Sequence, residues 1–234
     1  MSEATLSTGK VSGPWLPRLR CSLWIIVLLV LFAIWSIGSV VLQTFTMRAQ
    51  SMEPTLLVGE RFLVKKFMLG GRNTWYHRSL PYESIGRGDI IVFKLPVQDH
   101  PLYIKRVIGL PGDRVKIVSR RVYVNGQLQA EPYVEHDSVS YDPYGDNFPP
   151  GNPDFSQPGV RPEWAEQILK YVQRDELVVP ADHYFVLGDN REHSWDSRYW
   201  GFVDQDAIFG RPLIIYWSAS SAGMRSERMF HMVR

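Results

Sequence analysis

The sequence predicts a mainly β protein: a single N-terminal transmembrane helix, then an antiparallel β-rich domain with an inserted second lobe. Three observations predict this fold class. Residues 23–42 form an apolar run without a charge. Short apolar or alternating runs separated by Gly/Pro turns recur from residue 62 to residue 217. A proline-rich stretch with one helical pattern interrupts those runs between residues 131 and 175.

The apolar run is long enough to cross a membrane as a helix. Its 20 residues, at about 1.5 Å each, match a hydrocarbon core of roughly 30 Å. It exceeds the roughly 7–15 residues of a cleavable signal core, and no small-residue cleavage pattern follows it. The charged residues before the run are mostly basic: Glu3, Lys10, Arg18 and Arg20. The positive-inside rule therefore predicts a single-pass membrane protein with residues 1–22 cytoplasmic and residues 43–234 extracytoplasmic. The membrane is expected to be the inner (plasma) membrane.

Composition excludes some classes of partner. The formal net charge of +2 gives no basic field of the kind that binds nucleic acid. The only cysteine, Cys21, precedes the apolar run, so the exported domain is expected to fold without disulfides.

The β-rich region is predicted from short runs of β-branched, aromatic and alternating residues. The predicted strands cover residues 62–64, 90–93, 103–108, 114–118, 121–124, 127–128, 177–179, 184–187 and 213–217. Asn125-Gly126 between two of these runs is the strongest short signal for a β-hairpin.

The inserted lobe is predicted from a break in the strand pattern. Residues 141–159 contain five prolines and three glycines and are expected to form loops. Residues 161–172 have a helical pattern with Pro162 in the first turn. We therefore predict a second lobe over about 126–182, inserted between two parts of one β core.

Ser51 is the first candidate for chemistry because it follows the apolar run by only nine residues. Nine extended residues reach at most about 30 Å, which keeps this serine close to the membrane surface. A serine needs a base to become a nucleophile. The six histidines are scattered, and neither a His-Glu-x-x-His pattern nor a Gly-x-Ser-x-Gly elbow occurs. A histidine base remains open, and no spaced ligand cluster predicts a metal site.

Lys105 is the alternative base. Side chains alternate along a strand, so Lys105 shares a largely apolar face with Tyr103 and Val107 while Arg106 points the other way. Burial on such a face lowers the pKa of a lysine from its usual value near 10.4 toward a useful range. The alternative is a strand lysine whose ammonium group reaches water.

The segment from Gly188 to Gly201 is rich in polar residues although apolar strands flank it. Asp196 and Arg198 are spaced to pair, and Ser194 is placed to hydrogen-bond a neutral lysine. The alternative is an ordinary polar connection with Asx turns.

Taken together, these segments resemble the type I signal peptidases of bacteria and organelles, a Ser–Lys protease family. The resemblance is carried by the runs SMEPTL at 51–56, RGDIIVF at 87–93, YIKRVIGLPGD at 103–113 and GDNREHSWDSRYWG at 188–201. It implies that Ser51 is the nucleophile and Lys105 the general base, that Ser194 orients the lysine, and that Asp196 and Arg198 hold the active-site loop. It also implies shallow apolar pockets for small substrate side chains, lined by Phe45, Met47, Met52, Leu56, Tyr103 and Ile104.

The same resemblance implies secretory preproteins as substrates, contact with the lipid bilayer, possible proximity to the protein-export channel, and no metal or organic cofactor. Two other functions remain open: a Ser–Lys processing protease for conjugation or pilus subunits, and a membrane-tethered scaffold that binds exported chains without cutting them.

One position departs from the family pattern. Many members carry a serine two residues before the nucleophile that helps to bind the oxyanion, whereas this chain has Ala49. We expect an oxyanion hole built from backbone N–H groups, with Gln50 or a water as the alternative donor. A further hypothesis is that Phe67–Gly71 and Trp75-Tyr76 contact lipid headgroups, with core packing as the alternative.

Overall fold

The computed structural model describes residues 25–32, 41–66, 84–95, 102–134, 136, 141–151, 158–221 and 223–234. The chain divides into two compact units, Met1–Val40 and Val41–Arg234. In the first unit, residues 25–32 are helical and their apolar side chains are exposed. Within the described ranges, no helix is long and apolar enough to cross a membrane. Much of the predicted span, and the predicted lipid-contacting segment 67–76, lie outside the described residues.

The second unit is built mainly from antiparallel strands. In chain order the described strands are β1 (Leu42–Thr46), β2 (Arg61–Lys66), β3 (Ile90–Phe93), β4 (Tyr103–Gly109), β5 (Arg114–Val118), β6 (Arg121–Val124), β7 (Gln127–Leu128), β8 (Val172–Gln173), β9 (Glu176–Val178), β10 (His183–Leu187), β11 (Val203–Asp204), β12 (Ile208–Trp217), β13 (Ala219–Ser220) and β14 (Gly223–Met224). The α-helices of this unit are short: α1 (Pro143–Asp146), α2 (Pro162–Gln167) and α3 (Ser197–Trp200). The mainly β class predicted from the sequence is confirmed.

The larger sheet has seven strands in the order β1-β2-β12-β3-β4-β10-β11. All of its neighbouring pairs are antiparallel. Strand β1 lies at one edge of this sheet and β4 lies near the other. This sheet carries the two candidate catalytic residues, because one follows β1 and the other lies on β4.

The second sheet forms the inserted lobe, with the order β7-β6-β5-β9-β8. It is inserted between β4 and β10, so the lobe begins at Arg114 rather than near the predicted residue 126. The reason is that Asn125-Gly126, with φ of 53° and 77°, is the turn of a hairpin inside this sheet and not its boundary.

The predicted helix over 161–172 is shorter than expected. Helix α2 ends at Gln167, a 3₁₀ turn covers Ile168–Lys170, and Val172 already pairs with Leu177 in the second sheet. The side chains of Trp164 and Ile168 pack into the core of the inserted lobe beside β5 and β10. A longer helix would take Val172 out of the sheet.

Candidate active site

Ser51 lies in a tight turn that the chain makes directly after the edge strand β1. Residues Gln50–Met52 form a 3₁₀ turn, and the fully buried side chain of Met52 fixes it against the core. Ser51 itself is only 7% exposed. Its carbonyl oxygen accepts a hydrogen bond of 3.2 Å from the backbone N–H of Asn190, so the turn at Ser51 is tied to the polar segment at 188–201.

Lys105 lies on β4 beside Ile91 of β3 and is 3% exposed. Its Nζ lies 2.6 Å from Oγ of Ser51, within hydrogen-bond distance. Burial lowers the pKa of Lys105 to about 8, and Arg198 acts in the same direction, while the carboxylates of Asp196 and Asp189 oppose the shift. The lysine therefore has a substantial neutral fraction near neutral pH.

Asp196 and Arg198 form a buried two-point ion pair. Nε and Nη2 of Arg198 each lie 2.9 Å from a carboxylate oxygen of Asp196. The carboxylate also accepts hydrogen bonds from the backbone N–H groups of Gly188 and Arg198. Burial alone would raise the pKa of Asp196, but Arg198, Ser194 and Lys105 together outweigh burial, and the pKa lies below its ordinary value. Two charges with all these partners hold the loop between β10 and α3 in one shape.

The inserted lobe supports this loop from behind. The Tyr144 hydroxyl and the Trp164 indole N–H each donate to the carbonyl oxygen of Arg198 at 3.1 Å. The Ser197 hydroxyl oxygen accepts a hydrogen bond from the backbone N–H of Val186 on β10. The lobe that carries no assigned motif in the sequence therefore stabilises the active-site loop.

Ser194 is buried beside Gly188 and the backbone of Ser51. A methyl group at Gly188 would overlap both the Ser194 hydroxyl and the Ser51 carbonyl oxygen. Among the described residues, the Ser194 hydroxyl has no hydrogen-bond partner of regular geometry, although it lies close enough to Asp196 to help lower the pKa of that carboxyl. The predicted contact from Ser194 to the amine of Lys105 is not formed in this arrangement.

A cleft of about 660 Å³ opens beside the Ser51–Lys105 pair. Four of the predicted pocket residues line it: Phe45, Met47, Tyr103 and Ile104. Met52 and Leu56 were predicted to line it as well, but both are fully buried in the core cluster that also contains Phe62 and Val92. Their side chains point inward because the turn that carries Ser51 places its neighbours on the core side. The remaining lining residues are Thr44, Thr46, Arg48, Ala49, Ser51, Leu102, Lys105, His193 and Trp195.

A second buried ion pair was not predicted from the sequence. Arg106 contacts both carboxylate oxygens of Asp189 at 2.7 and 2.8 Å, and the Thr55 hydroxyl donates to the same carboxylate at 2.6 Å. This pair links β4, the loop that follows Ser51 and the segment after β10. Strand alternation predicts that Arg106 points away from the face that carries Lys105. It does not predict that Asp189 is the partner of Arg106.

Glu60 is another buried charge that the sequence did not reveal as part of the site. Its carboxylate accepts hydrogen bonds from Arg228, Ser218 and the backbone N–H of Leu57. Burial by itself raises the pKa of Glu60, but these partners outweigh burial and lower it. Arg228 also donates to the carbonyl oxygen of Thr55, so the C-terminal segment fixes the loop that follows Ser51. Two of the partners of Glu60, Ser218 and Arg228, lie more than 150 residues away in the sequence, which no local pattern could indicate.

Comparison with known proteins identifies the family of this chain. The family model described as signal peptidase, peptidase S26, matches residues 19–217. The chain is 34% identical to signal peptidase I of Aquifex aeolicus, over 88% of this chain and 86% of that protein. It is 34% identical to signal peptidase I of Pseudomonas aeruginosa, over 81% of this chain and 69% of that protein. It is 33% identical to signal peptidase IB of Staphylococcus aureus, over 84% of this chain and 90% of that protein.

A crystal structure of a signal peptidase I from Enterococcus faecalis also matches. It is 31% identical, with a TM-score of 0.40, and the match covers 56% of this chain and 98% of that chain.

The chain is a peptidase, a hydrolase of peptide bonds. More narrowly, it belongs to the signal peptidase family, peptidase S26.

Proposed function

We propose that this protein is a membrane-anchored serine endopeptidase that removes N-terminal signal peptides from secreted preproteins, with Ser51 as nucleophile and Lys105 as general base. The single observation that carries the proposal is the 2.6 Å separation of Lys105 Nζ and Ser51 Oγ at a buried position. The activity named for its relatives supplies the substrate class.

The chemistry follows from the protonation of Lys105. In its neutral form, Nζ accepts the proton of the Ser51 hydroxyl as Oγ attacks the carbonyl carbon of the scissile bond. The same proton then passes to the leaving amine as the C–N bond breaks, and an ester on Ser51 remains. A water then attacks this ester while Lys105 accepts a proton from the water. As the bond between the carbonyl carbon and Oγ breaks, Lys105 returns this proton to Oγ, which releases the second product and restores the Ser51 hydroxyl and the neutral lysine.

The oxyanion that forms when Ser51 or water attacks the carbonyl carbon needs hydrogen-bond donors to stabilise it. Ala49 has no hydroxyl to offer. Ser51 lies in the first turn of its 3₁₀ segment, where backbone N–H groups have no acceptor within the helix. We therefore assign the main donor to the backbone N–H of Ser51. Removing one such donor typically lowers the rate by about 10²–10³-fold.

The cleft is suited to an extended peptide. Strand β1 is an edge strand. On β4, pairing with β10 begins only at Arg106, so within the described part of the chain Tyr103–Lys105 have no strand partner on that side. Both segments line the cleft and run toward Ser51 and Lys105. A substrate in extended form can therefore bond to strand edges while its side chains enter the apolar spaces beside Phe45 and Ile104.

The membrane anchor completes the proposal. We assign residues 23–41 to a single membrane-spanning helix, one residue short of the predicted end because Leu42 begins strand β1. Residues 1–22 are assigned to the cytoplasm and residues 42–234 to the extracytoplasmic peptidase domain, on the length, apolarity and flanking charges of the run. The short connection from this run to Ser51 would hold the site at the membrane surface, where a signal peptide emerges from the bilayer and from the export channel.

The test is cleavage of a preprotein by the full-length protein in detergent or lipid. We expect Ser51→Ala and Lys105→Ala to reduce cleavage to background. The control variants Ser226→Ala and Lys170→Ala change the same residue types at exposed positions and are expected to cleave normally. Full activity in Ser51→Ala or Lys105→Ala would overturn the mechanism.

A further inference from the structure

The segment that follows β7 in the inserted lobe contacts the active-site loop through a buried ion pair. Nη1 and Nη2 of Arg191 lie 3.1 and 2.5 Å from the two carboxylate oxygens of Glu131. The side chains of Glu131 and Arg191 are only 10% and 5% exposed. Removing two charges from water is costly even when they pair with each other. The proposed chemistry uses neither charge, so their burial next to the active site calls for another explanation.

Arg191 holds the stretch of backbone that contacts the turn at Ser51. Its Nε donates a hydrogen bond of 3.0 Å to the carbonyl oxygen of Gly188, and its own carbonyl oxygen accepts one of 2.7 Å from Nη2 of Arg198. Between these two points, the backbone N–H of Asn190 donates to the carbonyl oxygen of Ser51. The backbone from Gly188 to Arg191 is therefore held at both ends, and its middle bonds to the turn that carries the nucleophile.

Tyr133 connects Glu131 with the strand that carries the base. The Tyr133 hydroxyl donates a hydrogen bond of 3.2 Å to the carboxylate of Glu131. The ring of Tyr133 covers Arg106, whose guanidinium carbon lies 3.8 Å from the ring centroid. Arg106 follows Lys105 on β4 and pairs with Asp189. Residues 131–133 thus contact one arginine beside Lys105 and another in the loop that bonds to Ser51.

We infer that Glu131 is a positioning residue for the Ser51–Lys105 pair: its ion pair with Arg191 fixes the backbone that bonds to Ser51. This inference rests on the proposed function. Among the described residues that line the cleft, Glu131, Tyr133 and Arg191 do not occur. Glu131 therefore acts on the distance between the two reacting groups and not on substrate binding, so its loss should lower kcat and leave KM almost unchanged.

The experiment measures kcat and KM of the full-length protein in detergent with a preprotein substrate. Urea unfolding in the same detergent gives the folded fraction, so that kcat is expressed per folded molecule. Glu131→Gln keeps the shape of the side chain but leaves Arg191 without its counter-charge. A displacement of about 1 Å can lower a rate by roughly 10²-fold, so we expect kcat per folded molecule to fall about 10- to 100-fold, with KM within about twofold of the wild type. A purely structural role would lower the folded fraction without changing kcat per folded molecule.

Further variants assign the effect to the ion pair. Glu131→Asp keeps the charge but shortens the side chain, so we expect its kcat to lie between those of the wild type and Glu131→Gln. The double variant Glu131→Gln/Arg191→Gln should be no slower than Arg191→Gln alone, because two residues that act through one contact have non-additive effects. Glu176→Gln is the matched control: it removes the partner of Arg114 from another ion pair of the inserted lobe, and kcat per folded molecule should stay at the wild-type value.

The outcomes separate this inference from the proposed function. If the wild-type protein cleaves no preprotein, the proposed function fails and the inference fails with it. If the wild type cleaves and kcat per folded molecule of Glu131→Gln is within twofold of the wild-type value, Glu131 does not position the pair, while the peptidase function stands. A double variant whose loss equals the product of the two single losses would also contradict the inference. If Glu131→Gln does not fold, Glu131→Asp takes its place and the same twofold limit decides.

Discussion

The Nζ atom of Lys105 and the Oγ atom of Ser51 lie 2.6 Å apart, and 54 residues of sequence separate the two side chains. Strand β4 brings Lys105 beneath the turn that follows β1, and burial removes the water that would otherwise stabilise its ammonium form. Asp196 and Asp189 oppose the shift while Arg198 favours it, and burial is the largest contribution. Burial thus determines the low pKa of Lys105.

Replacing Lys105 by methionine should stabilise the protein while abolishing its activity. The pKa of Lys105 is about 8 when folded and about 10.4 when unfolded, so the unfolded chain binds this proton more tightly. Below pH 8 the lysine therefore costs on the order of 3 kcal/mol of folding free energy, and this cost disappears as the pH rises toward 10.4. Loss of the hydrogen bond to Ser51 offsets part of this gain. We therefore expect Lys105→Met to raise the free energy of unfolding by about 1–3 kcal/mol at pH 7.

Urea unfolding at pH 7 and at pH 10 measures this gain. The difference between Lys105→Met and the wild type should shrink at pH 10, and the exposed control Lys170→Met should differ little from the wild type at either pH. If Lys105→Met is less stable than the wild type at pH 7, burial of Lys105 does not destabilise the folded protein and this prediction is wrong.

Asp196→Asn should destabilise the active-site loop strongly. The substitution keeps the size of the side chain but leaves the guanidinium of Arg198, which is 2% exposed, without its counter-charge. Breaking one side of a buried ion pair typically costs about 3–5 kcal/mol. Urea unfolding measures this cost, with Asp175→Asn in the exposed β8–β9 turn as the matched control. A loss below about 1 kcal/mol would mean that the pair does not hold the loop.

Gly188→Ala should lose activity through displacement of Ser51. The added methyl group would overlap the carbonyl oxygen of Ser51 and the hydroxyl of Ser194, so the nucleophile turn or the active-site loop must move. A shift of about 1 Å in a catalytic group lowers the rate by roughly 10²-fold. The matched control is Gly151→Ala, where an added methyl group meets no atom within 4 Å. Equal cleavage rates in the two variants would contradict the close approach of these segments.

Much of the fold was accessible from the sequence because its strands carry local signals. Alternation placed Lys105 and Arg106 on opposite faces, and the structure has them in two different charge clusters. Asn125-Gly126 correctly marked a hairpin. The start of the inserted lobe was set too late because β5 reads like the strands of the larger sheet, and which sheet a strand joins depends on long-range pairing.

The site was only partly accessible. The residues in the recognisable runs, including Ser51, Lys105, Asp196 and Arg198, do come together. The supporting contacts of Glu60 with Arg228, and of Asp189 with Arg106, join segments that are distant in the chain and leave no local pattern. Met52 and Leu56 pack in the core and do not line the cleft, for a related reason. An apolar side chain near Ser51 can line a pocket or pack in the core, and its residue type does not distinguish the two. The direction of the backbone turn determines which of them occurs.

The pH dependence of kcat/KM for a signal-peptide substrate tests most directly whether neutral Lys105 activates Ser51. Only the neutral lysine accepts the Ser51 proton, so kcat/KM should rise about tenfold per pH unit at low pH and level off above a pKa near 8. A rise with a pKa near 6.5 that disappears in His193→Gln would instead assign the base to a histidine. A profile that is flat from pH 6 to 10 would likewise contradict the assignment of Lys105 as the base.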